Sequence, residues 1–173
     1  MKTLIINGGT IEDAFALSYI ERVKPDCILA ADRGMEFCYR NQIKPDVILG
    51  DYDSADKTIL EAFRRQSGIE WHQYQPEKDY TDSEIAIGKA MERNSSEIHI
   101  LGGTGTRLDH VLGNIQLLMQ PLAKDIPCFL IDSHNRIRLL KARTILQKSQ
   151  QFGKYVSLSL IHISEPTRPI SIS

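Results

Sequence analysis

A parallel α/β sheet followed by a short all-β unit is the architecture that three features of the chain predict. Short runs rich in Ile, Val and Leu alternate with segments whose apolar residues recur every three or four positions. Glycine and aspartate recur in the turns that follow those runs. The helical pattern then stops after Pro121, and only strand-like runs with short turns follow it.

The apolar runs Thr3 to Asn7, Cys27 to Ala31, Val47 to Leu49 and Ile98 to Leu101 have the length and composition of fully buried strands. Between them, helical spacing covers Asp13 to Glu21, Met35 to Asn41, Lys57 to Gln66, Asp82 to Arg93 and Leu108 to Met119. Strands that alternate with helices in this way form parallel sheets, because each helix carries the chain back to start the next strand. Thr81 followed three residues later by Glu84 is a capping-box pattern, which starts a helix at Asp82. Past Pro121, Cys128 to Asp132, Arg136 to Leu140, Thr144 to Leu146 and Tyr155 to Leu160 read as strands.

The predicted division is therefore an α/β domain over 1–126 and a partial β-sandwich over 127–160. That second span is too short for the roughly seven strands a sandwich uses, so the chain reads as C-terminally truncated. Residues 161–173, IHISEPTRPISIS, continue no pattern and are set aside as a non-native or disordered tail.

With 173 residues, 42% of them hydrophobic and 25% charged, the chain can bury one ordinary core. No apolar run approaches the roughly 20 residues of a membrane span, so a cytoplasmic protein without membrane contact is expected. A net charge of -1 without a Lys/Arg block excludes general attraction to nucleic acid. Cys27, Cys38 and Cys128 show no CxxC spacing and no histidine cluster, and are expected to be reduced, Cys27 and Cys128 within strands.

The chemistry concentrates in the turns. Gly50-Asp51-Tyr52-Asp53-Ser54 places two carboxylates two residues apart just after a strand. Magnesium prefers hard oxygen ligands and commonly takes one or two carboxylates plus substrate phosphates, so this spacing suits a metal–nucleotide site; a turn capping the next helix fits it equally. Lys78-Asp79-Tyr80-Thr81-Asp82 crowds acids and a lysine at a helix entrance. A divalent ion relieves that repulsion, while the helix dipole alone accounts for Asp82 and Glu84 better than for Asp79.

Gly102-Gly103-Thr104-Gly105-Thr106-Arg107-Leu108-Asp109-His110 joins a strand to a helix with three glycines in four positions. Its backbone can approach an anion closely, although it is neither a P-loop nor a dinucleotide fingerprint. Arg107 can grip phosphate bidentately, Asp109 can accept hydrogen bonds from an amine, and His110 reads as a structural histidine. Asn7-Gly8-Gly9 and Asp32-Arg33-Gly34, taken alone, are ordinary turns.

Taken in order, NGG at Asn7, ADRG at Ala31, GDYDS at Gly50, KDYTDSE at Lys78 and GGTGTRLDH at Gly102 resemble the motif series of the thiamine pyrophosphokinase family. The resemblance implies an N-terminal α/β domain that binds Mg-ATP, a C-terminal β-sandwich, and a homodimer with thiamine between two chains. It further implies Asp51, Asp53 and Asp82 as magnesium ligands, with Asp79 and Asp32 beside the metal or its waters. Lys78 and Arg107 would meet phosphates, and Asn7, Gly8, Gly9, Asp32, Arg33, Gly34, Gly103 and Thr104 would complete the ATP contacts. Asp109 would face the aminopyrimidine of thiamine.

The implied reaction transfers the pyrophosphoryl group of ATP to thiamine, giving thiamine diphosphate and AMP. Thr106 replaces a glycine common in the family. The Ser-rich segment that closes over thiamine is missing, and Ser171 and Ser173 are not assigned its role. Two further readings stay open at this point: a Mg-ATP-binding module without turnover, and a pyrophosphokinase for another heteroaromatic alcohol such as a pterin.

Overall fold

The structure, a computed structural model, describes residues 1–52, 55–74, 80–141 and 144–159. The predicted alternation is present. Strands β1 (Lys2–Ile6), β2 (Cys27–Ala31), β3 (Val47–Gly50), β4 (Glu70–Gln73), β5 (Glu97–Leu101) and β6 (Cys128–Ile131) are joined by helices α1 (Asp13–Val23), α2 (Gly34–Arg40), α3 (Lys57–Arg64) and α4 (Asp82–Glu92). α5 (Leu108–Leu117) and α6 (Met119–Ala123) together connect β5 to β6. A two-residue strand, β7 (Arg136–Ile137), completes a sheet of order β4-β3-β2-β1-β5-β6-β7.

Every pairing is parallel except β6 with β7. The chain winds outward from β1 to β4, then crosses to the other side of β1 to form β5 and β6. The winding therefore reverses between β1 and β5.

Each central strand is apolar on both faces because each face is covered. Ile5, Leu29, Val47, Leu49, Ile98, Ile100 and Leu130 point into a core closed by Ala86, Ile87 and Ala90 of α4 and by Ile115 and Leu117 of α5. Leu4, Ile6, Ala30, Ile48, Leu101 and Ile131 point the other way, onto Ala16 and Tyr19 of α1, Met35 and Phe37 of α2 and Phe63 of α3. The period-2 alternation along the strands is thus hidden in the sequence, where both sets of positions are hydrophobic. All three cysteines are buried and unbridged, Cys27 in β2 and Cys128 in β6.

Two elements differ from the sequence pattern. β4, Glu-Trp-His-Gln, carries no apolar run because it is the sheet's edge: its ends are exposed and Trp71 is its one apolar residue, half-buried and edge-on to Tyr52 at 5.6 Å. Its Glu70 carboxylate engages His72, Arg93 at 2.6 Å and Lys89 at 3.3 Å, fastening the edge to α4. These hydrogen bonds, that of His72 first, hold the Glu70 carboxyl down at about 2.

The second difference lies at the C-terminal end. Cys128 to Ile131, which the pattern assigns to a separate all-β unit, is the sixth strand of the same sheet, parallel to β5. Its crossover is the α5–α6 segment, so it is reached in the same way as the strands before it. Beyond β7, the strand predicted at Thr144 to Leu146 is reduced to an isolated bridge at Leu146, a short 3-10 turn follows at Lys148–Gln150, and residues 155–159, where a further strand is predicted, form none. Residues 161–173 lie outside the described residues.

A polar chain lies between α1 and one face of β5. The Tyr19 hydroxyl meets His99 Nδ1 at 2.8 Å, and His99 Nε2 meets Glu97 at 2.7 Å, which fits the neutral tautomer protonated on Nε2. Burial holds His99 below its ordinary pKa, against the opposing pull of Glu97. Between that lowered value and the unfolded value of about 6.5, the unfolded chain binds more protons than the native one. Stability should therefore fall as pH drops from about 6.5. Urea midpoints at pH 7.5 and pH 5.5 test this, and His99→Gln should flatten the difference.

Candidate functional site

A ligand crevice in a doubly wound sheet opens at the carboxyl ends of the strands, where the winding reverses. Here that point is between β1 and β5. The strand ends stay joined past their last residues: Asn7 N–H donates to Leu101 O at 2.9 Å, and Gly9 N–H to Gly102 O at 3.0 Å. Gly102 has φ of +69°, and a Cβ on it would lie 2.4 Å from Asn7 O. Only glycine allows the two turns to pack this closely. The result is a cleft of about 1040 Å³ above β1, β2, β3 and β5, walled by the first turn of α4 and the length of α5.

Three carboxylates line it from three elements. Asp32 follows β2 with φ of +48°, a left-handed conformation that aspartate tolerates better than most residues. Asp51 follows β3, and Asp82 opens α4, whose Thr81 cap accepts from Glu84 N–H at 3.2 Å. Burial raises the Asp32 carboxyl above its ordinary range, and the Asp82 and Asp51 charges raise it further. The Asp51 and Asp82 charges therefore reach Asp32 across the cleft.

The middle residue of the Asp51-Tyr52-Asp53 motif does a different job. Tyr52 is buried, has φ of +64°, and shares its hydroxyl proton between Ile48 O at 3.0 Å and His72 O at 2.9 Å. It pins the turn that presents Asp51. Tyr52→Phe is expected to lower stability by about 1 kcal/mol through the lost hydrogen bonding, read as a urea midpoint shift with unchanged slope.

Of the other expected positions, Asn7, Gly8, Gly9, Arg33, Gly103, Thr104, Arg107 and Asp109 all line the cleft. Gly34 does not. It is buried beneath, where a Cβ would sit 1.9 Å from Ile6 O, so backbone packing accounts for its identity. Arg33 reaches outward to Glu36 at 3.0 Å. Arg107 and Asp109, given separate partners by the sequence reading, pair with each other: Arg107 Nη2 is 2.6 Å from Asp109 Oδ2, and Nε is 3.3 Å from Oδ1. Arg107 holds the Asp109 carboxyl below its ordinary range. Asp53, Lys78 and Asp79 lie outside the described residues.

The cleft also contains Ser83 and Asn114, to which the motifs assign no role. Asn7 Nδ2 donates to Ser83 Oγ at 2.8 Å, tying β1 to the turn that carries Asp82, while its buried Oδ1 has no partner among the described residues. Asn114 Nδ2 donates to Gly103 O at 2.7 Å and fixes the glycine turn from α5. His110 is exposed on the rim, 3.9 Å from Asp109, and not built into helix packing. Ser83 and Asn114 carry no local signal of these contacts, which join separate segments of the chain.

Among the described residues, no three acidic, histidine or cysteine side chains converge closely enough to enclose a metal unaided. One or two carboxylates suffice for magnesium when phosphates and water complete its shell. Asp32 stands in the field of the Asp51 and Asp82 charges, a crowding of carboxylates that such a cation would relieve, so the residues fit it.

Residues 22–130 match the family model described as thiamin pyrophosphokinase, catalytic domain. The chain is 33% identical over 148 residues to the thiamine pyrophosphokinase of Bacillus subtilis, covering 84% of this chain and 66% of the relative. It is 35% identical over 88 residues to thiamine pyrophosphokinase 2 of Arabidopsis thaliana, covering 47% of this chain and 33% of that one.

The crystal structure of the Bacillus subtilis enzyme superposes with a TM-score of 0.68 at 29% identity, over 80% of this chain and 63% of that one. That of Geobacillus thermodenitrificans thiamin pyrophosphokinase gives 0.64 at 27%, over 79% and 61%. The chain thus spans just under two thirds of the length of the Bacillus subtilis relative. The matched segment runs from within α1 into β6 and carries the Asp32, Asp51, Asp82 and Asp109 turns, and with it the chain belongs to the thiamine pyrophosphokinase family.

Proposed function

We propose that the protein transfers the pyrophosphoryl group of ATP to thiamine, giving thiamine diphosphate and AMP. The observation that carries this reading is the convergence of Asp32, Asp51 and Asp82 beside a glycine turn at the winding reversal. Asp51 and Asp82, with Asp53 and Asp79 by motif, would hold magnesium, and Asp32 would stand behind them. Bound magnesium supplies charge neutralisation for the polyphosphate.

The chain's own residues then bind and orient. Gly103 and Thr104 bring backbone close to phosphate, and Lys78 and Arg107 contribute positive charge. Arg107 holds Asp109 through Nε and Nη2, so a bidentate grip on phosphate by that same edge would release Asp109, and the release would let its carboxylate accept from the amine of thiamine. Arrival of the donor would in this way prepare the acceptor side. Phosphoryl-type transfer requires in-line placement and charge stabilisation and no protein nucleophile, which agrees with a cleft lined by carboxylates, amides and an arginine. A homodimer that completes the thiamine site belongs to the same proposal.

Incubation with ATP, thiamine and magnesium, followed by nucleotide chromatography, should yield AMP in step with thiamine diphosphate. ADP as the product would refute pyrophosphoryl transfer. ATP binding by calorimetry with no heat from thiamine would leave a nucleotide-binding module as the correct description.

A further inference from the structure

On the face of the sheet that α1 covers, arginines gather against aromatic rings. Phe129 of β6 stands beside His99 of β5 in the parallel register, and the two rings stack at 5.3 Å with 20° between their planes. β7 runs antiparallel to β6 with Leu130 opposite Ile137 and Ile131 opposite Arg136. The next position therefore sets Arg138 opposite Phe129, and the period of two puts Arg136 and Arg138 on one face. The Arg136 guanidinium lies 5.7 Å from the Phe129 ring and 5.5 Å from the Phe152 ring, and that of Arg138 lies 5.8 Å from Phe129. Arg22 of α1 covers the neighbouring Tyr19 ring at 5.0 Å.

Positive charge dominates this face. Glu97 is engaged by His99 at 2.7 Å. Arg138 is half-buried and has no carboxylate partner among the described residues. Burial first, and then the Arg136 charge, hold it below the usual guanidinium range. The same field reaches the groups behind it: Arg136 and Arg22 oppose the rise that burial gives Tyr19, and Arg136 adds to the fall that burial gives His99. A guanidinium does not relieve such a field by losing its proton, so an anion is what would relieve it.

The rings also prepare the arginines for one. A guanidinium laid on an aromatic ring keeps its N–H edge free and has given up rotamer freedom in advance. Two such forks side by side exceed what one carboxylate can use. A phosphate group, with about -1.5 to -2 of charge and three acceptor oxygens, can meet both. Neither arginine lines the carboxylate cleft or the largely apolar slot across the Gly102–Thr106 turn, so this site is independent of the pyrophosphoryl-transfer reading. We propose that Arg136 and Arg138, held against Phe129 and Phe152, bind the phosphate group of a small phosphorylated ligand outside the catalytic cleft.

The test is an NMR titration of the 173-residue chain with inorganic phosphate, without magnesium or nucleotide and at constant ionic strength, following the arginine side-chain N–H resonances. The Arg136 and Arg138 resonances should shift and saturate together. Malonate, a dicarboxylate of similar charge, should bind more weakly. No saturable shift at either arginine, shifts confined to Arg107, or equal binding of malonate would overturn the proposal, and this readout on the unaltered chain does not depend on how a variant folds.

Arg138→Gln should weaken phosphate binding by roughly tenfold or more, the scale of losing a charge-assisted bidentate contact. Arg138→Lys, which keeps the charge and loses the planar fork, should weaken it as well. Calorimetry with magnesium and ATP should give the same affinity for both variants as for the unaltered chain. Phosphate affinity unchanged in both variants would overturn the site, as would a parallel loss of ATP binding, which would place the anion in the cleft.

Discussion

Gly34→Ala should destabilise the protein by about 3 kcal/mol, near the upper end of what overpacking a close-packed interior costs. The added methyl would lie 1.9 Å from Ile6 O and 2.7 Å from Ile6 C, both backbone atoms of the central strand. β1 is held on both sides, by β2 and β5, and cannot yield. α2 would have to lift, and with it Met35, Phe37 and Cys38, all at most 2% exposed. A urea midpoint lower by roughly 1–2 M is expected from typical denaturant slopes. Gly88→Ala is the matched control: it lies inside α4 with nothing within 4 Å of the added methyl. There, helix propensity predicts a gain of up to about 1 kcal/mol. Similar behaviour of the two variants would mean that α2 does not rest on β1 at Gly34.

The largest effect on function is expected from Asp51→Asn. Removing this carboxylate should lower thiamine diphosphate formation by on the order of a hundredfold, the scale seen when one preorganised electrostatic contact to a transferring group is lost. Magnesium-dependent ATP binding should weaken with it. The fold should survive, because the Tyr52 hydroxyl anchors the turn. An independent sign is available without metal or substrate. Asp32 titrates above its ordinary value through burial first, then through the charges of Asp82 and Asp51. Loss of the Asp51 charge should shift the Asp32 carboxyl downward in an NMR titration. Unchanged ATP affinity together with an unmoved Asp32 would remove Asp51 from the site.

The carboxylate turns were legible because each is a local event: a strand ends, the chain turns, and an acid stands at the turn. The strands β1, β2, β3 and β5 were legible for a similar reason, since burial on both faces makes a continuous apolar run. β4 left no such trace, because an edge strand with one packed residue does not need one. The place of Cys128–Ile131 was misread because the sequence gives a strand's existence without its neighbour. The pairing of Arg107 with Asp109 and the packing role of Gly34 were equally hidden in motifs that resemble ligand contacts.

By itself, then, the amino-acid order determined the succession of strands and helices, the acidic and glycine turns, and through their order the family. Only the tertiary structure decided that the winding reverses between β1 and β5, that Asp32 lies within reach of the Asp51 and Asp82 charges, and that an apolar slot lies across the Gly102–Thr106 turn. The physical reason is range. Periodicity, capping and turn chemistry act over a few residues and are written in consecutive positions. Strand order and the meeting of charges depend on contacts between segments far apart in the chain, as between Asn7 and Ser83, and no local pattern encodes them.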